Sequence, residues 1–229
     1  MTLNLYRFGS LQSRLWAFAQ MGLARRHMAN VPGLVFWKLL GSGTGEGFTP
    51  VPNTGVYAIL SAWADGIEPA PSTEAAVFKK YSARADEVCT LSLSPLSARG
   101  QWSGEAPFRP DTDTHPHGPL AALTRATVKP RNILKFWKRV PDISRRIGEN
   151  EDVRLKIGIG EVPFLHQVTF SIWPDAESMA RFARKGGPHA EAIRAVRDED
   201  WFAEELYARF RVTGATGHWQ GRPVAEVLQ

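Results

Sequence analysis

The sequence contains a single cysteine, Cys89, among its 229 residues. One thiol cannot form a disulfide within the chain, and it cannot supply the several thiolates of a structural zinc site. No apolar run approaches the roughly 20 residues that cross a bilayer. The N-terminus also lacks a basic leader followed by an apolar segment, which a secretory signal would have. These absences predict a cytoplasmic protein.

Acidic residues are outnumbered, with 23 Asp and Glu against 28 Lys and Arg, for a net charge of +5. A basic surface suits an acidic partner, which includes nucleic acid, an acidic electron-transfer protein and anionic lipid headgroups. Because no helix-turn-helix, zinc-finger or RNA-binding signature is present, we expect no nucleic-acid partner. A modest excess of positive charge is also common in proteins that have no charged partner.

An internal repeat is the strongest structural signal in the chain. Leu5-Tyr6-Arg7 corresponds to Leu123-Thr124-Arg125 at an offset of 118 residues, and the stretch around Trp102 corresponds to that around Trp219 at an offset of 117. Each copy has the order βαββαβ, which is ferredoxin-like. We therefore predict an α+β fold of tandem ferredoxin-like repeats, 1–108 and 119–229, joined by a linker at 109–118. The two sheets are expected to pack as a dimeric-type α+β barrel within one chain.

Hydrophobic periodicity gives the expected elements of each copy. The predicted strands are Leu3–Phe8, Val35–Leu40, Val56–Trp63, Cys89–Ser94, Leu120–Val128, Val153–Gly160, His166–Trp173 and Tyr207–Thr213. The predicted helices are Leu11–His27, Ala75–Val88, Asn132–Ile147 and a stretch that starts at Asp175 and is interrupted at Gly186-Gly187-Pro188. In the first helix, Leu11, Leu15, Phe18 and Gly22 share one face.

His189 is the first candidate ligand. On a helix it shares an apolar, inward face with Ile193 and Val196, at positions i, i+4 and i+7. Pro188 at the first helical position places His189 near the positive end of the helix dipole, which disfavours imidazolium. A neutral imidazole can bind a metal. The alternative, which the residues alone favour, is a core histidine bonded to a backbone carbonyl.

His166 is the second candidate, because it opens a predicted strand shortly after Glu161. With His189 it gives two histidines that can converge on one cavity in the second copy, and neither has a histidine counterpart in the first. Their spacing matches no zinc motif, whereas a haem needs only one protein ligand. Of the other histidines, His115 and His117 are expected to be solvated and His218 to be peripheral, while His27 lies at a predicted helix end where the dipole favours a cation.

The Gly-rich stretch Gly41–Gly47 matches no phosphate-binding motif. Its glycines predict a loop whose backbone lies flat against a ligand or another loop, with plain turn chemistry as the alternative.

Several long strings of the sequence resemble the spheroidene monooxygenase family, the ketolases of purple-bacterial carotenoid synthesis. The resemblance covers nearly the whole chain apart from the linker. The strings are Arg14–Phe18, Gln20–Arg25, Phe36–Lys38, Gly41–Pro50, Ser97–Gly100, Lys156–Pro163, His166–Asp175, Gly187–Ala190 and Ala192–Val196.

The resemblance implies a monooxygenase that uses O2, reduced ferredoxin and haem b to oxidise an acyclic carotenoid such as spheroidene to a 2-ketone. Iron ligation maps best onto His189, with Ile193 beside the cofactor. His166 would be the alternative ligand or a distal hydrogen-bonding group. An acidic ferredoxin and the anionic inner membrane, which the protein would contact peripherally, would then be natural partners for the basic surface.

Two other interpretations remain open at this stage. One is a cofactor-independent oxygenase or hydratase in which the histidines act as acid–base groups. The other is a carotenoid-binding protein without catalytic activity, built around the same aromatic cavity.

Overall fold

The computed structural model describes residues 1–66, 75–110, 117–138, 152–184 and 200–228. The first half contains β1 Thr2–Arg7, α1 Leu11–Leu23, α2 Arg25–Ala29, β2 Leu34–Gly43, β3 Pro52–Trp63, α3 Ala76–Ser82 and β4 Glu87–Gly100. The second half begins with β5 Leu120–Val128 and a 3-10 turn at Pro130–Asn132, after which residues 133–138 are helical. It continues with β6 Leu155–Gly160, β7 His166–Trp173, α4 Ala176–Arg184, β8 Phe202–Trp219, β9 Arg222–Pro223 and a 3-10 turn at Val224–Leu228.

Side-chain caps mark the starts of two helices. The Ser10 hydroxyl accepts a hydrogen bond of 3.1 Å from the Ser13 N–H at the start of α1. The Asp175 carboxylate accepts one of 2.7 Å from the Ser178 N–H at the start of α4. Each cap satisfies a backbone donor that the first helical turn leaves unpaired. The predicted start of α1 at Leu11 is confirmed, and α4 starts at Ala176, one residue after the predicted Asp175.

Both halves have the same strand order, β4-β1-β3-β2 in the first and β8-β5-β7-β6 in the second, and neighbouring strands are antiparallel. This order confirms the predicted α+β class and the ferredoxin-like repeat. β4 also pairs with β8, from Cys89 opposite Gly217 to Gly100 opposite Leu206. β2 meets β6 only at the ends of both strands. This β2–β6 junction pairs only two residues of each strand. The predicted dimeric-type barrel within one chain therefore stays a prediction.

Alternation along the strands separates two layers of core. One face of each sheet contributes to a single shared core, whose fully buried members include Leu3, Leu5, Leu91, Phe170, Ile172 and Phe210. In the first half, the opposite face packs against the helices through Tyr6, Phe8, Ile59, Phe78 and Tyr81. The two halves therefore share the larger core. The helices of the first half cover the outer face of the sheet in that half.

The predicted bounds of β5 and β7 are confirmed, whereas β4 and β8 are much longer than predicted. The sequence indicated only Cys89–Ser94 and Tyr207–Thr213, but the strands run over Glu87–Gly100 and Phe202–Trp219. Their mutual pairing supports Ser- and Gly-containing extensions that have little strand propensity of their own. The predicted helix Ala75–Val88 is correspondingly too long, because α3 ends at Ser82 and β4 already begins at Glu87.

The first helix also departs from the prediction. It ends at Leu23, and a separate α2 follows from Arg25. Its apolar face is not the buried one, since Leu11 is 73%, Leu15 62% and Phe18 66% exposed, whereas Ala17 is fully buried. Among the described residues, no helix has the length and apolar content to cross a bilayer.

Candidate functional site

A cavity of about 210 Å³ opens where the end of β2 meets the β6–β7 turn. Its walls come from α1, from the Gly-rich loop after β2, from the β6–β7 turn and from the helical residues that follow β5. The lining includes Phe18, Met21, Gly41, Gly47, Tyr57, Trp137, Ile159, Glu161, Val162, Phe164 and His166. Both halves therefore build the cavity, whereas the sequence predicted a chamber within the second half.

The Gly-rich loop forms one wall and lies flat against strand β6, whereas the sequence predicted a ligand or another loop as its neighbour. The Gly158 N–H donates a hydrogen bond of 2.7 Å to the Glu46 carbonyl. Gly47 has φ +91°, and a Cβ on it would stand 1.7 Å from the Gly158 carbonyl oxygen. Only glycine permits this approach and this backbone conformation.

Glu161 is the centre of a polar network beside the cavity. Its carboxylate accepts a hydrogen bond of 2.7 Å from Trp102 Nε1 and lies 3.0 Å from Lys38 Nζ. Arg125 Nη2 lies 4.0 Å from Glu161 Oε2, and Arg125 also donates to Glu204. Two cations and two carboxylates balance one another, so the network carries no net charge when the nearby imidazole is neutral.

Burial favours the neutral form of His166. Its Nδ1 is buried, has no hydrogen-bond partner among the described residues and lies 3.5 Å from Glu161 Oε2. Burial lowers the pKa of His166 below its ordinary 6.5; Glu161 raises it, while Arg125 and Lys38 lower it further. A neutral imidazole is the form that can ligate a metal or accept a proton. The sequence predicted a neutral imidazole for His189, which lies outside the described residues, and made no such prediction for His166.

An arginine paired with a carboxylate that accepts two backbone N–H groups from the opposite half occurs at corresponding places in both halves. Arg125 bonds Glu204, whose carboxylate accepts the N–H groups of Ser103 and Gly104 from the first half. Arg7 likewise bonds Glu87, which accepts the N–H groups of Gln220 and Gly221 from the second half. The repeat is therefore visible in the contacts as well as in the sequence.

The two arrangements differ in burial. The Arg125 side chain is 2% exposed, and that of Arg7 is 39% exposed. The register of β3 and β7 that aligns Trp63 with Trp173 places Val56 where the second half has His166. Among the described residues, burial, the imidazole and the cavity thus coincide at the Arg125 arrangement and not at the Arg7 arrangement, which favours a functional site beside Arg125.

The other histidines lie where the sequence placed them or outside the described residues. His27, His117 and His218 are exposed. His189, Ile193 and His115 all lie outside the described residues, so the predicted convergence of His189 on His166 remains a prediction.

Sequence reasoning missed most of the network. In the sequence, Glu161 stands out only as a neighbour of His166, and Lys38 only as part of a string that resembles the family. The internal repeat aligned Arg7 with Arg125 and Trp102 with Trp219, and extending the same offset of 117 residues from Glu87 leads to Glu204. That offset was the signal that could have found the second carboxylate.

A second cavity of about 630 Å³ lies near the start of β6 and the C-terminal turn. Charged side chains line much of it, namely Glu46, Arg154, Lys156, Arg222 and Glu226. An apolar ligand would have to desolvate these charges, which is costly. The smaller cavity beside His166 is therefore the better candidate site.

Comparison with known proteins decides the family. Relatives named spheroidene monooxygenase from Cereibacter sphaeroides and Rhodobacter capsulatus are 51% and 50% identical to this chain. The alignments cover 99% and 96% of this chain, and 71% and 93% of the relatives. A third, from Rubrivivax gelatinosus, is 33% identical over 92% of this chain and 81% of its own length. The chain belongs to the spheroidene monooxygenase family.

No family model matches the chain. Among solved structures, an aldoxime dehydratase in complex with butyraldoxime is similar to this spheroidene monooxygenase family member with a TM-score of 0.56. The similarity covers 92% of this chain and 78% of the dehydratase, at 9% identity. At that identity the likeness concerns the fold alone.

The side chains of this spheroidene monooxygenase family member can be compared with the ligand that a haem iron needs. Among the described residues, no group of three or more His, Cys, Asp and Glu is arranged to hold a metal ion. One histidine beside a mainly apolar cavity does supply the donor that a haem needs, which is a single axial ligand from the protein. The described walls enclose about 210 Å³, below the roughly 300 Å³ at which typical ligand pockets begin. His166 therefore fits the donor chemistry, while this cavity by itself accommodates only the end of a long ligand.

Replacing Glu161 should lower the pKa of His166 further. Glu161→Gln removes the carboxylate that favours the imidazolium, so the pKa should fall more than in Glu204→Gln, whose effect on His166 is smaller. Histidine NMR titration of ligand-free protein, with His166→Ala to assign the signal, measures both shifts. A rise in either variant, or a larger fall in Glu204→Gln, contradicts this electrostatic account.

The same titration links His166 to stability in the parent protein. Because the folded-state pKa of His166 lies below 6.5, the contribution of its neutral ring to the free energy of unfolding is fully present above pH 6.5. It is lost as the pH falls from 6.5 towards the folded-state pKa. The His166→Ala variant should therefore show a shallower fall in the free energy of unfolding across that window.

Proposed function

We propose that this chain is a monooxygenase that oxidises the end of an acyclic carotenoid, such as spheroidene, to a 2-ketone. Two hydroxylations at one carbon give a gem-diol, which loses water to leave the carbonyl. Each hydroxylation places one atom of O2 on carbon and reduces the other to water, which consumes two electrons and two protons. Reduced ferredoxin is the proposed electron donor. Family membership over nearly the whole chain is the observation that carries this proposal.

The cavity suits the end of such a substrate. Phe18, Trp137 and Phe164 offer aromatic walls, and the small volume admits one end of an extended chain rather than its whole length. Trp137 Nε1 donates a hydrogen bond of 3.0 Å to the Phe164 carbonyl, which fixes that part of the wall. Apolar walls bind a polyene through burial of its surface and exclude water from the reacting end.

Haem b is the proposed cofactor, and it would supply the activation of O2 that the side chains cannot provide. His189 is the proposed iron ligand, with Ile193 beside the cofactor, and His166 is the alternative ligand or a distal group. In either role, Glu161 would orient His166 through Nδ1, since a carboxylate beside the second ring nitrogen commonly fixes the tautomer of such a histidine. The buried Nδ1 near Glu161 supports this assignment.

The proposed partners follow from the same reaction. Reduced ferredoxin is acidic and would be attracted by the net positive charge of this chain. The carotenoid dissolves in membranes, so the protein would contact an anionic membrane peripherally.

The decisive experiment expresses the chain in a host that accumulates acyclic carotenoids. We expect the expressing cells to contain a carotenoid that is heavier by one oxygen atom and lighter by two hydrogens, detected by mass spectrometry. Product formed by purified protein that contains no haem would favour the cofactor-independent alternative. Unaltered carotenoid, recovered bound to the protein with reductant and O2 present, would favour the carrier alternative.

Two histidine variants test the site separately from the overall reaction. His189→Ala should abolish the Soret band of haemin-reconstituted protein, and His166→Ala should lower product formation by about 10²-fold, whether it ligates iron or positions a proton. His27→Ala and His218→Ala are matched controls, because both rings are exposed. If the band and the product survive in both His189→Ala and His166→Ala, the proposed site is wrong.

A further inference from the structure

Helix α1 presents an apolar face that no described residue covers. Leu11, Leu15 and Phe18 lie at positions i, i+4 and i+7, and they are 73%, 62% and 66% exposed. The opposite side of the helix packs on the sheet through Ala17, with Trp16 half-buried. The helix is therefore anchored by one side and leaves a stripe of large apolar side chains in solvent. Single exposed apolar residues need no explanation, but a contiguous stripe indicates an interaction surface.

The exposed stripe reaches the mouth of the cavity. Phe18 belongs to both, since it is exposed and also lines the cavity. Across the opening, Val162 and Phe164 of the β6–β7 turn also line the cavity, and they are 41% and 46% exposed. The apolar surface and the entrance to the candidate site are therefore continuous.

The charged residues around α1 indicate which kind of partner this surface binds. The first 45 residues contain no Asp or Glu, but they contain five Lys and Arg. Arg25 and Arg26 are exposed in α2, directly after α1. Asp86 lies beside the start of α1 in space, where its carboxylate accepts a hydrogen bond from the Gly9 N–H. A helix with large apolar residues on one side and adjacent basic residues is typical of a segment that lies in the headgroup region of an anionic bilayer.

We propose that α1 is the membrane-docking element of this protein, and that it binds an anionic lipid surface with the cavity mouth facing the bilayer. Leu11, Leu15 and Phe18 would enter the region between headgroups and acyl chains, while Arg25 and Arg26 would contact lipid phosphates. An apolar substrate dissolved in the membrane could then reach the cavity past Phe18 and Phe164 without crossing water. This inference rests on the proposed carotenoid substrate for its purpose, although docking itself is measurable without turnover.

The first test measures binding of the full chain to vesicles by flotation. We expect the protein to float with vesicles of phosphatidylcholine and phosphatidylglycerol, and to bind vesicles of phosphatidylcholine alone much more weakly. Leu11→Gln/Leu15→Gln keeps good helix formers on the surface and should weaken binding to the anionic vesicles by about tenfold or more. Arg25→Gln/Arg26→Gln should weaken it by about fivefold for each charge and reduce its dependence on salt.

A matched control comes from β2. Val35 is 62% exposed, like Leu15, but it lies six residues before Gly41, roughly 20 Å along the strand from the cavity end. Val35→Thr should bind vesicles as the parent does. If the parent protein fails to bind anionic vesicles, or if Leu11→Gln/Leu15→Gln binds them as tightly as the parent, the proposal is overturned. Loss of a dimer in that variant, with vesicle binding retained, would assign the face to a second copy of this chain.

Turnover assays separate this proposal from the proposed function. Neither Leu11 nor Leu15 lines the cavity. Their double variant should therefore convert detergent-dispersed carotenoid at the parent rate but convert vesicle-embedded carotenoid about tenfold more slowly. No product from the parent protein in either assay would reject the function while leaving the vesicle-binding result intact. Equal rates with embedded substrate would reject docking by α1 while leaving the function intact.

Discussion

Replacement of Arg125 by alanine should lower the free energy of unfolding by about 3 kcal/mol, because it removes a buried guanidinium and leaves the largely buried Glu204 carboxylate without its cation. The Arg125 side chain is 2% exposed, bonds Glu204 and lies 4.0 Å from Glu161. Its guanidinium also lies 5.7 Å from the centre of the Trp102 ring, a contact that a methyl group cannot replace. Denaturant unfolding, followed by tryptophan fluorescence and by circular dichroism, measures the loss.

Arg7 is the built-in control for this prediction. It occupies the corresponding place in the other half, bonds Glu87 at 2.7 Å and lies over the Trp219 ring at 4.9 Å. Because its side chain is 39% exposed, solvent screens the pair, and Arg7→Ala should cost only about 0–1 kcal/mol. Arg125→Lys keeps the charge without the fork and should fall between the two. Equal losses in Arg7→Ala and Arg125→Ala would refute the claim that burial distinguishes the two arrangements.

Gly47→Ala should lower the free energy of unfolding by about 3 kcal/mol or more. The φ of +91° disfavours any L side chain, and the new Cβ would meet the Gly158 carbonyl oxygen at 1.7 Å. The atom it meets belongs to the backbone, so the loop must separate from β6 to relieve the clash. For a chain of this length, such a loss lowers the melting temperature by roughly 6–12 °C. Calorimetry or thermal circular dichroism measures the shift.

Gly41→Ala is the matched control in the same stretch. Gly41 also lines the cavity, but a Cβ there meets nothing within 4 Å. Its stability should change by no more than about 0.5 kcal/mol, which is the range of ordinary surface substitutions. A melting temperature for Gly47→Ala within one degree or so of that for Gly41→Ala would show that the loop does not rest on β6 as described.

The sequence predicted those parts of the fold that depend on local pattern. The bounds of β5 and β7 were right because their alternation of apolar residues ends at clear turn signals. The ends of β4 and β8 could not be read in this way, since Ser97–Gly100 has no strand pattern and is held by pairing with residues more than a hundred positions away. The exposure of the apolar face of α1 could not be predicted for a related reason: periodicity shows that a face is apolar, but it does not show what covers it.

The candidate site was predicted in part. His166 was singled out from its position after Glu161 and its lack of a counterpart in the first copy, and the structure places it at the cavity. The surrounding network joins Lys38, Trp102, Glu161 and Glu204, which come from separate strands and turns far apart in the chain. No local spacing encodes such a meeting, and only the repeat offset connects some of its members.

The exchange of carboxylates between the halves has a further consequence for how far the two halves can differ. Glu87 secures a turn of the second half, and Glu204 secures a turn of the first. In two identical subunits, a mutation that buried one of these arrangements would bury its twin as well. Covalent fusion removes that coupling, so one copy can retain a plain architectural role while the other acquires an imidazole and a dry opening.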